Sequence, residues 1–260
     1  MRQWRTQRHR SQLDLALDVG VSPRHLSFVE TGRSRPSPEL VLALADRLEV
    51  PLRERNVLLV AAGYAPHFAE TALDARSMDR VRGALERVLA AHTPYPGVVV
   101  DRRWNIVMAN APAAVFLRGI PTELLGPPPN VFRLCLHPDG FASRTLNFEE
   151  WSTYLMHHLQ RLAAVTGDAR VMELLAEVRG YPGVAAASPY KPGEFGEDPP
   201  LVIPLRLEVG GVELSLFTTM TTFGTPQDIT LAELAIELFY PEDEATESWL
   251  RSSAASLSNG

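Results

Sequence analysis

The sequence predicts two joined fold classes: an all-α, five-helix helix-turn-helix domain, followed by an α+β domain built on an antiparallel sheet. Three observations carry that reading. Residues 11–61 repeat helix-start signals ahead of apolar residues at helical spacing, with Gly20 between the first two segments. Residues 94–222 contain two alternating apolar runs that read as hairpins, with helical periodicity between them. Charge also changes sign along the chain. Residues 1–66 hold ten Arg against seven Asp/Glu, and the remainder holds 15 basic against 24 acidic residues, so a net charge of -6 conceals a basic N-terminal end.

Composition bounds the alternatives. With 45% hydrophobic and 22% charged residues among 260, the chain can bury cores for two domains and does not read as disordered. No apolar run approaches the ~18 to 20 residues that span a bilayer, and the N-terminus has no signal-peptide core. A cytoplasmic protein that does not engage a membrane is the expectation. Cys135 is the single cysteine, set in the apolar run "VFRLCLH"; it reads as a packed core thiol before a redox sensor.

The N-terminal elements follow in order. "RQWRTQRHR" opens the chain as the first helical segment. In "SQLDLALDVGVSPRHLSFVETGRSRPS", residues 11–37, Ala16 falls where the next two helices meet, a place for a small side chain. Gly20 supplies the backbone freedom of the tight turn. Ser22 is an N-cap and Pro23 a first-turn residue, so the recognition helix starts there. Its outward face offers Pro23, Arg24, Ser27 and Phe28, with His25 alongside. Arg24 suits a bidentate pair with guanine, and Phe28 or Pro23 a thymine methyl. Gln12 before it, and Arg33 and Arg35 in the loop after it, suit phosphates of a double-stranded DNA operator. Ser37-Pro38 starts a fourth helix through about Leu48. Pro51 starts a fifth, with Leu52, Val57, Leu58 and Val60 expected to close the core.

Residues 67–93 read as a connecting segment with a helix from about Ser77 to Ala91, its apolar side being Val81, Leu85, Val88 and Leu89. Residues 94–251 make the second domain. Val98–Val100 and Ile106–Met108 pair across a turn at Asp101–Trp104; Leu205, Leu207 and Val209 pair with Val212, Leu214 and Leu216 across Gly210-Gly211. Phe148–Leu162 and Val171–Val178 carry helical stripes. "DITLAELAIELFYP" is expected to be a helix, with a Thr230/Glu233 capping box and a stripe through Leu231, Leu234, Ala235 and Leu238. "PEDEATE" reads as a solvated helix end, and residues 252–260 as a disordered tail.

On these residues the chain resembles the Xre/Cro-type helix-turn-helix regulators. "SQLDLALDVGVSPRHLSFVETGRSRPS" and "PLRERNVLLVAAGYAP" look like the subgroup with a MmyB-like ligand-binding domain. So do "PYPGVVVDRRWNIVMANAPAAVFL", "HPDGF", "TLNFEEW" and "TTFGTPQDITLAELAIELFYPEDEAT" in the second domain. The resemblance implies a PAS-like sheet with helices that senses a small apolar molecule, a fatty acid being the preferred ligand, in a bacterial transcription factor. Such regulators usually bind DNA as homodimers.

A sheet with one helix-covered face can hold an apolar cavity. Phe132, Leu134, Leu136, Phe141, Trp151, Tyr154 and Leu155 are candidates for its wall. Arg144 or His137 would meet a carboxylate head group. The Pro/Gly-rich run from Ala185 to Pro200 reads as a loop over the pocket mouth. His157-His158 has no metal-ligand spacing, and "HPDGF" reads as a turn before a catalytic His-Asp pair. No G-x-S-x-G, G-x-G-x-x-G or Walker loop is present, so no enzyme and no cofactor are expected. A second reading keeps the DNA-binding role but gives control to a protein partner on the C-terminal domain, with no small-molecule ligand.

Overall fold

The computed structural model describes residues 1–184 and 202–258. The expected loop over a pocket mouth, Ala185 to Pro200, lies outside the described residues. Two compact units form: Met1–Met78 with Phe223–Glu233, and Asp79–Thr222 with Leu234–Gly260.

The first unit contains α1 (Arg2–Gln7), α2 (Gln12–Asp18), α3 (Pro23–Glu30), α4 (Pro38–Arg47) and α5 (Leu52–Ala61). Three serines start the middle helices by the same device. Ser11, Ser22 and Ser37 accept from the backbone N–H of Asp14, His25 and Leu40 at 3.0, 3.1 and 3.2 Å. Each such cap is worth about 0.5–2 kcal/mol. Gly20 takes φ +73°, which lets the chain turn from α2 into the Val21 N–H bond to the Ala16 carbonyl at 2.9 Å. Leu15, Ala16, Leu26, Leu44 and Ala45 are fully buried together. On α5 the buried face differs from expectation. Val57 and Val60 are each 55% exposed, while Leu59 is buried, because the helix begins at Leu52 and its inward phase runs through Leu59.

This unit also takes in a segment from much later in the chain. The Asp228 carboxylate accepts from the Thr71 hydroxyl at 2.6 Å and caps α11 (Ile229–Glu233) by accepting from the Thr230 N–H at 2.8 Å. Arg53 donates to Glu233 at 2.7 and 2.9 Å and to Glu70 at 2.8 Å. The expected connecting segment is divided accordingly: residues 67–78 belong to the first unit, and α6 (Asp79–Ala91) opens the second. Leu85 and Leu89 bury one side of α6, while Val88 is partly exposed.

The second unit is a five-stranded antiparallel sheet in the order β2-β1-β5-β4-β3. Its strands are β1 (Gly97–Val100), β2 (Ile106–Ala109), β3 (Leu205–Val209), β4 (Val212–Thr222) and β5 (Ala235–Pro241). Both expected hairpins form, with Val98 opposite Ala109 and Val209 opposite Val212. The helix expected over Asp228–Pro241 does not. α11 has five residues, its cap is Asp228 in place of Thr230, and the chain then becomes β5. Ala, Leu and Glu favour a helix locally, but "AIELFYP" is hydrogen-bonded along both edges, to β1 and to β4, and that pairing outweighs propensity.

Helices α7 (Ala111–Phe116), α8 (Val131–Leu136), α9 (Phe148–Thr166) and α10 (Ala169–Arg179) complete the unit with α12 (Glu244–Ser258). α12 corrects one expectation. The acidic run is its start, with Asp243 accepting from the Thr246 N–H at 2.7 Å, and the helix continues through 252–258 where a disordered tail was expected. Burial of Thr246 and Leu250 holds that helix down.

Candidate nucleic-acid face and apolar cavity

The first candidate site is the start of α3. Ser22, Pro23 and Arg24 are exposed there, while His25, Ser27 and Phe28 are half-buried. The Arg24 guanidinium lies 5.4 Å from the centre of the Phe28 ring, so the two side chains form one cationic, aromatic surface. Arg33 is exposed beyond the helix and has no ion pair among the described residues.

Two other candidates are committed inside the fold. Gln12 Nε2 donates to Glu30 at 2.7 Å, and Arg5 donates to the same carboxylate at 2.7 and 3.0 Å. Burial pushes the Glu30 carboxyl up, but the bonds from Arg5 and Gln12 outweigh it and hold the group below its ordinary value. The network ties α1 and α2 to the end of α3. Arg35 donates to the carbonyls of Ala62 and Gly63 at 2.8 and 2.7 Å and lies 4.4 Å from the Tyr64 ring centre, which closes the C-terminal end of α5.

The second candidate site is a cavity of about 100 Å³ between the sheet and helices α7, α8 and α9. Leu134 from α8, Phe141, and Trp151, Tyr154 and Leu155 from α9 line it. Phe132 and Leu136 are fully buried in the adjoining core and do not line it. Neither do the two head-group candidates. His137 stacks edge-on against Tyr181 at 4.8 Å, and Arg144 sits behind the wall, 5.0 Å from the Phe141 ring centre. Arg144 instead lines a separate polar groove with Arg118, Glu208 and Trp249. Burial lowers the Arg144 guanidinium.

Several lining residues have no signal in local sequence. Leu205, Leu207 and Leu216 reach the cavity from the second hairpin, and Glu237 and Phe239 from β5. Trp104 reaches it from the β1–β2 turn, where its backbone takes φ +62°, an unusual conformation for a bulky residue. Asp101 holds that turn by accepting from the N–H of Arg103 and Asn105 at 2.8 and 2.9 Å. The Trp104 ring then meets Phe132 at 5.4 Å and His158 at 4.7 Å.

Polar atoms in this lining are few. Burial pushes the Glu237 carboxyl up to about 7, opposed only by a hydrogen bond from Thr218. The His158 imidazole is lowered, first by burial and then by the charges of Arg161 and His157. Burial pushes the Cys135 thiol up to about 12, which makes it an inert packed thiol at neutral pH. The Trp151 Nε1–H is buried and has no hydrogen-bond partner among the described residues.

Among the described residues, no group of three or more His, Cys, Asp or Glu is placed to hold a metal ion, and no helix is long and apolar enough to cross a membrane. Residues 81–252 match the family model described as MmyB-like transcription regulator ligand binding domain, and residues 1–55 match the one described as Helix-turn-helix. No curated protein matches the chain.

Proposed function

The chain belongs to the family of the MmyB-like transcription regulator ligand binding domain, joined to a DNA-binding helix-turn-helix, and from that premise we propose that it is a sequence-specific regulator controlled by a small apolar molecule. The observation that carries the reading is the apolar cavity between sheet and helices in the same chain as an exposed recognition helix. Arg24, with Pro23 and Phe28, reads bases in the major groove; Ser22, His25 and Ser27 flank it, and Arg33 contacts phosphate. Gln12 and Arg35 act by holding α3 and the loop after it in place. The protein works in the cytoplasm as a homodimer on paired half-sites.

For the ligand, Leu134, Phe141, Trp151, Tyr154 and Leu155 form the apolar wall, with Phe132 and Leu136 packed behind. A fatty acid would seat its chain here and need Arg144 to turn inward past Phe141 to meet its carboxylate. Ligand shifts DNA binding by its differential affinity for two arrangements of the protein.

Selecting genomic fragments on the purified full chain, then titrating a selected and a random duplex at one salt concentration, tests this reading. A selected duplex bound at least tenfold tighter supports it; equal affinities for both would remove sequence-specific regulation.

A further inference from the structure

The cavity is not uniformly apolar: Glu237, Cys135 and the indole of Trp151 line it, as do Tyr154 and His158. Glu237 enters from β5, and Trp151 from α9. Cys135 lines the cavity with them. Trp151 is 5% exposed, and its Nε1–H has no hydrogen-bond partner among the described residues. The Cys135 sulfur beside it is a weak acceptor and does not satisfy it. Glu237 is 7% exposed and, among the described residues, has no ion pair; the Thr218 hydroxyl is its one hydrogen-bonding neighbour. Among the described residues, no Lys or Arg lines the cavity.

Burying a carboxyl with one hydrogen-bonding neighbour and an indole N–H with none is costly, and a bound molecule that adds partners recovers part of that cost. A plain hydrocarbon leaves the indole N–H unpaired and gives the carboxyl no second partner. A carboxylate meets like charge whenever Glu237 is ionised, so it suits only the protonated form of that carboxyl. An ammonium would satisfy Glu237 but has no lone pair for the Trp151 N–H. A hydroxyl serves both. Its O–H donates to the ionised carboxylate, or its oxygen accepts from the protonated carboxyl, and a lone pair accepts from the indole.

We propose that the cavity recognises an uncharged apolar molecule bearing a hydroxyl, bound between Glu237 and Trp151, in place of an anionic lipid. The proposal rests on the small-molecule sensor reading and narrows its ligand class. Glu237 is the specificity-determining residue, and Trp151 orients the hydroxyl.

Calorimetric titration of the full chain with 1-octanol, octanoate and octylammonium tests it, using the natural chain, Glu237→Leu, Glu237→Gln and Trp151→Phe. Glu237→Gln is isosteric and guards against misfolding in the leucine variant. The expected result is octanol binding tighter than octanoate in the natural chain. Glu237→Leu should weaken octanol roughly tenfold, and Trp151→Phe several-fold, as loss of a buried hydrogen bond does. Octanoate should bind Glu237→Leu better than the natural chain. Octanoate exceeding octanol in the natural chain, or octanol indifferent to all three variants, overturns the hydroxyl proposal and leaves the sensor reading standing. No heat from any of the three probes overturns both.

Discussion

Two buried glutamates sit in opposite surroundings. Glu30, at the end of α3, has a fully buried side chain that accepts from Arg5 twice and from Gln12 once. Glu237, in the cavity, has the Thr218 hydroxyl and no cation among the described residues. Burial pushes both carboxyls up; at Glu30 the donors reverse that push, and at Glu237 nothing does. A buried charge that is fully paired fixes a surface in place, here the exposed start of α3. A buried carboxyl left nearly alone is an open valence, and in an apolar cavity it is where a ligand gains specificity.

Breaking the paired glutamate is the harshest test. Glu30→Ala strands the largely buried Arg5 guanidinium and should cost the N-terminal unit about 3–5 kcal/mol in a urea melt. A loss under about 1 kcal/mol would mean the network is incidental. The lone glutamate should respond in the reverse sense. Its carboxyl titrates at about 7 when folded against 4.5 ordinarily, so between those values the folded chain keeps a proton that the unfolded chain has released. Stability therefore falls as pH rises from about 4.5 to 7 and is level above that. Glu237→Gln should raise stability by about 3 kcal/mol at pH 8 and leave it unchanged at pH 4. A variant that is less stable at pH 8 would show that Glu237 is paired after all.

On the surface that Glu30 supports, the effects are smaller and fall on binding. Arg24→Ala should cost about 1–3 kcal/mol on a selected duplex and relax preference at one base. Equal losses on selected and random DNA would remove its base-reading role. Arg33→Ala should weaken both duplexes alike and lower the salt slope by about 1. A loss confined to the selected duplex would make Arg33 a base reader instead.

The same contrast explains what the sequence discloses. Around α3 the determinants are local. Ser22-Pro23, Gly20 and Ser37-Pro38 each act within a few residues, so caps, turn and exposed face are legible in the order they occur. Even there, Gln12 and Arg35 read as phosphate contacts, because their internal partners Glu30 and Ala62–Gly63 lie 18 to 28 residues away. Both hairpins are equally legible, since Gly210-Gly211 and the alternation on either side are adjacent in the chain. The cavity is not. β5 is defined by β1, some 138 residues before it, and by β4, so a segment with helical propensity gives no local sign that Glu237 faces inward. Trp104 reaches the cavity only because Asp101 folds the turn beneath it. Phe132, Leu136 and the lining leucines have the same pattern of apolar residues, and only the position of the sheet separates wall from core.

Whether cavity and recognition helix act as one regulator reduces to a single quantity. That quantity is the affinity of the full chain for a selected duplex, read by fluorescence anisotropy with and without the small molecule recovered from the purified protein by organic extraction. The coupling expected of a ligand-controlled regulator is a change of about 5- to 150-fold on the selected duplex, with the random duplex unaffected. Identical affinities in both conditions would contradict ligand control and leave the two sites as separate functions on one chain.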